Sequence, residues 1–98
     1  TFRGFGSKSA SSTDNKAELS LYNGLGNQCG TTTDVTNGTA NQWSTGTIIA
    51  TTSADSDCSA ITAGSYVTFV IKMTANSTGT TGEIIRMGEI EILYKSLF

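Results

Sequence analysis

Two stretches late in the chain carry the clearest alternation of apolar and polar positions. In residues 66–74, Val67, Phe69, Ile71 and Met73 alternate with Tyr66, Thr68, Val70, Lys72 and Thr74. That period of two sends one set to a core face and the other outward. Residues 83–95 return after a loop of Ala, Asn, Ser, Thr and Gly, with Ile90, Ile92 and Tyr94 alternating with Glu89, Glu91, Leu93 and Lys95. Carried backwards, this parity puts Gly88, Arg86 and Ile84 inside and Met87 and Ile85 outside, which buries an arginine. Two readings resolve the conflict. A bulge at Gly88 resets the register, or the ladder is regular, Phe69 lies across the gap left by Gly88, and Ile85 and Met87 join Val70 on the outer face. The second makes the sheet apolar on both faces and calls for a cover.

Earlier in the chain, residues 17–22 predict a strand with Ala17, Leu19 and Leu21 opposite in sense to Glu18, Ser20 and Tyr22. Residues 23–30 read as a loop, because Asn-Gly and Gly-Asn pairs supply the positive φ of tight turns. Residues 31–35 predict a short edge strand ended by Asn37-Gly38. Residues 41–52, with Trp43 followed by Thr47, Ile48, Ile49 and Ala50, predict one long strand or two short ones. With residues 1–5 the total is six to eight strands, spaced as in an all-β, single antiparallel β-sandwich of jelly-roll or immunoglobulin-like order. The expected core is Val67, Phe69, Ile71, Ile90 and Ile92 facing Leu19, Leu21 and Ile49. Residues 57–64 lack an apolar stripe and allow one helical turn at most.

The expected organisation is an N-terminal arm over residues 1–16, anchored by Phe2 and Phe5, and a β-sandwich domain over residues 17–98. A start at Thr1 without a secretory segment is read as a processed chain or an excised domain. Ninety-eight residues suffice for one domain with a small core. The 17 Thr, 12 Ser and 11 Gly with no Pro strengthen the all-β reading, since Thr favours strands while Ser, Gly and Asn make turns. Charged residues are 14% and the net charge is −2, which argues against nucleic acid as a partner. No apolar run approaches a membrane span.

Cys29 and Cys58 each sit in a polar loop. Without His they cannot complete a zinc site, and they are too far apart for a redox CxxC pair, so a disulfide is expected. Closing a loop of this length stabilises by roughly 3.5 kcal/mol on the loop-entropy model. It also points to an oxidising compartment, extracellular or at a cell or virion surface. Asn37-Gly38-Thr39 and Asn76-Ser77-Thr78 match the glycosylation acceptor pattern in predicted turns.

Catalytic chemistry finds few candidates. The absence of His removes the Ser-His-Asp and Cys-His arrangements and any base that titrates near neutrality unaided. Glu89 and Glu91 share a strand face about 7 Å apart, a separation glycoside hydrolysis can use, but alternate charges are the ordinary outward decoration of a sheet. Asp55 and Asp57, with Asp34 elsewhere, form oxygen-rich loops of the kind that hold calcium, although such residues more often cap their own backbone. No cofactor is expected. Trp43 and Tyr22 are the candidates for a sugar-stacking platform, against the ordinary role of a Trp in a small core.

The alternating last strands and Thr-rich loops, over residues 17–95, resemble in architecture the extracellular sandwich modules of bacterial surface proteins, carbohydrate-binding modules and virion or appendage proteins. Two functions are expected from these features. One is a non-enzymatic structural or adhesive subunit, a homo-oligomer or repeated unit assembling through Phe2 and Phe5 of the arm and an apolar stripe of Tyr66, Val70, Ile85, Met87 and Leu93. The other is a carbohydrate-binding module using Trp43 and Tyr22.

Overall fold

The computed structural model describes residues 1–9, 15–51, 55–75 and 84–94. The protein is all-β, with two small antiparallel sheets of three strands each. The strands are β1 (Phe2–Lys8), β2 (Lys16–Tyr22), β3 (Thr33–Asp34), β4 (Ser44–Ile48), β5 (Thr68–Thr74) and β6 (Ile85–Ile92), with one 3-10 turn at Ser56–Ala60. One sheet runs β4-β1-β6 and the other β3-β2-β5. Only β2 and β3 are neighbours both in sequence and in a sheet; every other connection passes from one sheet to the other.

The stretch expected as an arm is therefore the middle strand of a sheet. β1 pairs with β4 from Phe2↔Ile48 to Gly6↔Ser44 and with β6 from Phe2↔Ile92 to Lys8↔Ile85. Both its edges are occupied within its own chain, so residues 2–8 cannot lie along a neighbour's sheet. Phe2 is buried to 1% exposure with its ring centroid 4.8 Å from that of Phe69. Residues 10–14 of the expected arm lie outside the described residues.

The two late strands do not pair with each other. β5 lies on β2, with Leu21↔Phe69, Leu19↔Ile71 and Ala17↔Met73, while β6 lies on β1 in the other sheet. Alternation told which side chains share a face, but any strand with a matching face can be a partner, and β2 supplies one for β5. The β1–β6 register slips between Gly4↔Ile90 and Gly6↔Met87. One residue of β1, Phe5, there faces two of β6, so Gly88–Glu89 carries a bulge. Of the two readings of this strand the bulge is the observed one. It puts Ile85, Met87, Ile90 and Ile92 on one side of β6 and leaves Arg86 exposed on the other.

The most buried apolar residues are Phe2, Ala17, Leu19, Leu21, Cys29, Val35, Ile48 and Cys58, with Val67, Phe69, Ile85 and Met87 packed against them. The expected core is corrected at three points. Leu19 and Leu21 belong to the same sheet as Phe69 instead of opposing it. Ile48 is buried and Ile49 is 61% exposed. Ile71, Ile90 and Ile92 stand half in water although they point inward.

Glycines set how closely the sheets approach. A Cβ on Gly6 would lie 2.8 Å from Val35 Cγ2, and one on Gly46 would lie 2.8 Å from Thr33 Cγ2 and 2.9 Å from Val35 Cγ1. Neither position has room for a methyl group. At the opposite margin, no such small residue faces inward on β5 or β6 among the described residues.

Candidate functional site

Three regions bring together residues with chemical or binding potential. The first is the loop cluster around the disulfide. Cys29 and Cys58 are bonded, with Cα atoms 4.8 Å apart, joining the β2–β3 loop to the 3-10 turn. Asn23, 3% exposed, ties the same two segments. Its Oδ1 accepts the N–H groups of Leu25 and Asn27 at 3.0 Å each, and its Nδ2 donates to the Asp57 carbonyl at 2.8 Å. Asp55 caps the turn: its carboxylate accepts from the Asp57 N–H at 2.9 Å and the Gly30 N–H at 2.7 Å. These two hydrogen bonds, that from Asp57 first, hold the Asp55 carboxyl below the ordinary carboxylate range. Asp34 is engaged likewise, accepting from the Thr36 N–H at 2.7 Å and hydroxyl at 2.6 Å. The oxygen-rich loops thus spend Asp34 and Asp55 on their own backbone, and no cluster of three potential metal ligands occurs among the described residues.

The second region is the outer face of the β4-β1-β6 sheet. Trp43 precedes β4 and is 58% exposed, so it is no core residue. Its ring edge lies where a Cβ on Gly88 would sit, 2.9 Å from Trp43 Cζ3. The side chain therefore crosses β1 to reach β6, and Ser7, the β1 residue on that path, is only 4% exposed. On the same sheet face the Arg3 guanidinium stands 5.6 Å from the Phe5 ring centre and donates to Glu91 Oε2 at 2.6 Å. Arg3 Nε is buried without a hydrogen-bond partner among the described residues. Tyr22, at the end of β2, belongs to the other sheet. The expected Trp43–Tyr22 platform is not assembled, because the two residues lie on different sheets. Glu91 is held by Arg3 and separated from Glu89 by the bulge register, so the two glutamates do not repeat along a regular ladder.

No family model, curated protein or solved structure matches the chain.

The third region is the open side between β5 and β6, each the last strand of its sheet. Their inward residues face across this side in three levels. Phe69 and Ile92 flank the Phe2–Leu21 level, Ile71 and Ile90 the Gly4–Leu19 level, and Met73 and Met87 the Gly6–Ala17 level. Ile71, Met73, Ile90 and Ile92 are 39%, 48%, 40% and 46% exposed. At one end the side opens into an apolar cleft of about 120 Å3 lined by Phe2, Leu21, Ile61, Val67, Phe69 and Ile92, with Leu93 and Tyr94 at its rim.

The expected assembly stripe is dispersed by this arrangement. Val70 lies opposite Ser20 on the outer face of its sheet, whereas Ile85 and Met87 point inward in the other sheet. Phe2 is in the core and Phe5 is on the outer face beside Arg3. Tyr66 and Leu93 are exposed, at 87% and 57%. Ile71, Met73, Ile90 and Ile92 were missed as surface residues because their alternation marks them as inward, and alternation carries no information on whether an inward face is covered. Of the acceptor sequons, Asn37 is exposed in the β3–β4 connection and Asn76 lies outside the described residues. No helix among the described residues is long and apolar enough to cross a membrane. The disulfide is compatible with an extracellular location.

Proposed function

We propose that this protein is a non-enzymatic structural or adhesive subunit of an extracellular assembly, such as a surface appendage, filament or virion, and that it associates with other subunits through the open side between β5 and β6. The observation that carries the reading is the exposure of Ile71, Met73, Ile90 and Ile92, inward-facing residues of two edge strands. Exposed apolar rows beside strand edges that pair with no other strand among the described residues invite both side-chain burial and backbone pairing with a further chain. We read the two sheets as halves of one β-sandwich. The nesting of its pairs, β1 with β6 around β2 with β5, favours a jelly-roll wrap over an immunoglobulin-like one. The test is sedimentation velocity across micromolar concentrations of the parent protein and of Ile71→Lys and Ile92→Lys variants. The parent is expected to sediment as an assembly and the variants as smaller species. A parent that stays monomeric throughout overturns the reading.

A second reading, a carbohydrate-binding module, draws support from the exposed Trp43 ring on the sheet face that also carries Phe5 and the Arg3–Glu91 pair. An aromatic face with a charged hydrogen-bonding pair alongside suits a sugar ring and its hydroxyls. Retention of the parent on a glycan column, lost in Trp43→Ala with the fold intact, would favour it; a monomer that binds no glycan would exclude both.

A further inference from the structure

Resting on the assembly reading above, we infer that the partner is a second copy of this chain, joined antiparallel along β6 about a two-fold axis between Gly88 and Glu89. The backbone decides which groups are free to pair. Leu93 donates its N–H to the Thr1 carbonyl at 2.9 Å, so Leu93 turns its polar groups to β1 and the alternate residues Ile92 and Ile90 turn theirs to the open edge. At the other end the Ser9 N–H donates to the Ile84 carbonyl at 2.9 Å, so Ile85 and Met87 likewise present theirs to the open edge. The bulge between these halves makes the set 85, 87, 90 and 92 symmetric about its middle.

That symmetry is what self-pairing needs. Laid antiparallel on a second β6, Ile85 meets the second copy's Ile92 and Met87 meets its Ile90. Both are pairs of edge-directed residues able to exchange two backbone hydrogen bonds. Their side chains all lie on the inward face, so the half-exposed Ile90 and Ile92 gain cross-strand apolar neighbours. On the outer face the same register sets the exposed Arg86 opposite the second copy's Glu91, twice by symmetry. Glu91 uses Oε2 for Arg3, and its other carboxylate oxygen remains for Arg86. β5 has no comparable complement: it carries Lys72 and no acidic residue. The product is a continuous six-stranded sheet, β4-β1-β6 followed by its symmetry mate.

The experiment is a register-specific cross-link. Arg86→Cys and Glu91→Cys variants of different tag length are mixed under mild oxidation, with the native disulfide intact, and run on non-reducing gels beside each variant alone. Facing residues of a pair without backbone bonds lie about 4.5 Å apart, within disulfide reach. The expected product is the mixed, cross-linked heterodimer, with little of either homodimer. Arg86→Glu should in parallel weaken self-association about tenfold, since two favourable charge pairs become repulsive. A parent that self-associates, with no heterodimer and no effect of Arg86→Glu, overturns the β6 pairing while leaving assembly standing. A parent that is monomeric at all concentrations overturns both.

Discussion

The two sides of the molecule carry the same alternation of residues and end in opposite states. On the β3/β4 side, Val35 is fully buried and Ile48 is 4% exposed. Gly6 and Gly46 let the sheets touch there, and the Ser44 hydroxyl donates to the Val35 carbonyl at 2.6 Å, binding one sheet to the other. On the β5/β6 side the inward residues are Phe, Ile and Met throughout, and the four outermost of them stand 39% to 48% exposed. Glycine at inward positions lets the sheets meet at one margin, whereas the inward positions of the other carry long side chains and, among the described residues, no third layer covers them. Closure is thus a matter of side-chain size at facing positions, and the open margin is where a further chain can add stability.

The largest expected effect probes the contrast between covered and uncovered inward residues. Phe2→Ala should destabilise by about 3 to 5 kcal/mol, since a ring packed on Phe69 is lost from a buried site. Ile92→Ala, at the same level but 46% exposed, should cost about 1 to 2 kcal/mol. Urea unfolding of both variants checks the difference; equal losses would mean that the open side is covered in solution by some other part of the molecule.

Replacing Cys29 and Cys58 by Ala should cost roughly 3.5 kcal/mol in the same assay, because the 29-residue separation leaves a long loop unconstrained in the unfolded chain. The closed margin can be pried apart more gently. Gly46→Ala places a methyl within 2.9 Å of both Thr33 and Val35 and should cost about 1 to 3 kcal/mol, whereas Ala at Gly64, where nothing lies within 4 Å, meets no neighbour and bears only its left-handed backbone.

The smallest effect concerns pH. Asp55 has its carboxyl pKa lowered by the Asp57 and Gly30 N–H groups. A depressed folded-state pKa contributes stability that is present above the unfolded value and lost as pH falls through the folded value. The melting temperature should therefore drop on acidification below the ordinary carboxylate range. Asp55→Asn should flatten part of that drop while leaving the neutral-pH assembly state unchanged. A parallel fall in both proteins would place the acid sensitivity elsewhere.

Much of the architecture follows from local chemistry and was legible residue by residue. Alternation located β2, β5 and β6, the Asn23-Gly24 pair ended β2, and the 3-10 turn lay next to and within the stretch that lacked an apolar stripe. Elimination of zinc and redox roles left a disulfide for Cys29 and Cys58, which are bonded. The conflict of parity at Arg86 left a bulge at Gly88 and a regular ladder both open, with Ile85 and Met87 taken as outward for the assembly stripe, and the register shift at Gly88–Glu89 is what turns them inward. These outcomes depend on side-chain size, backbone φ and the period of a strand, all of which travel with the segment itself.

Partnership did not travel with the segment. Whether residues 68–74 pair with β6 or β2 depends on backbone groups that every strand offers alike, and on which distant face completes a core. Only the tertiary structure decided that a Ser- and Gly-rich N-terminal stretch becomes the middle strand β1, its glycines admitting Leu19 and Val35 from the facing sheet. Only it decided that Trp43 crosses the sheet to lie on Gly88 and that Tyr22 lies on the other sheet. Exposure of Ile71, Met73, Ile90 and Ile92 belongs to the same class, because an inward face is specified by the strand while its cover is specified by how many strands the rest of the chain supplies.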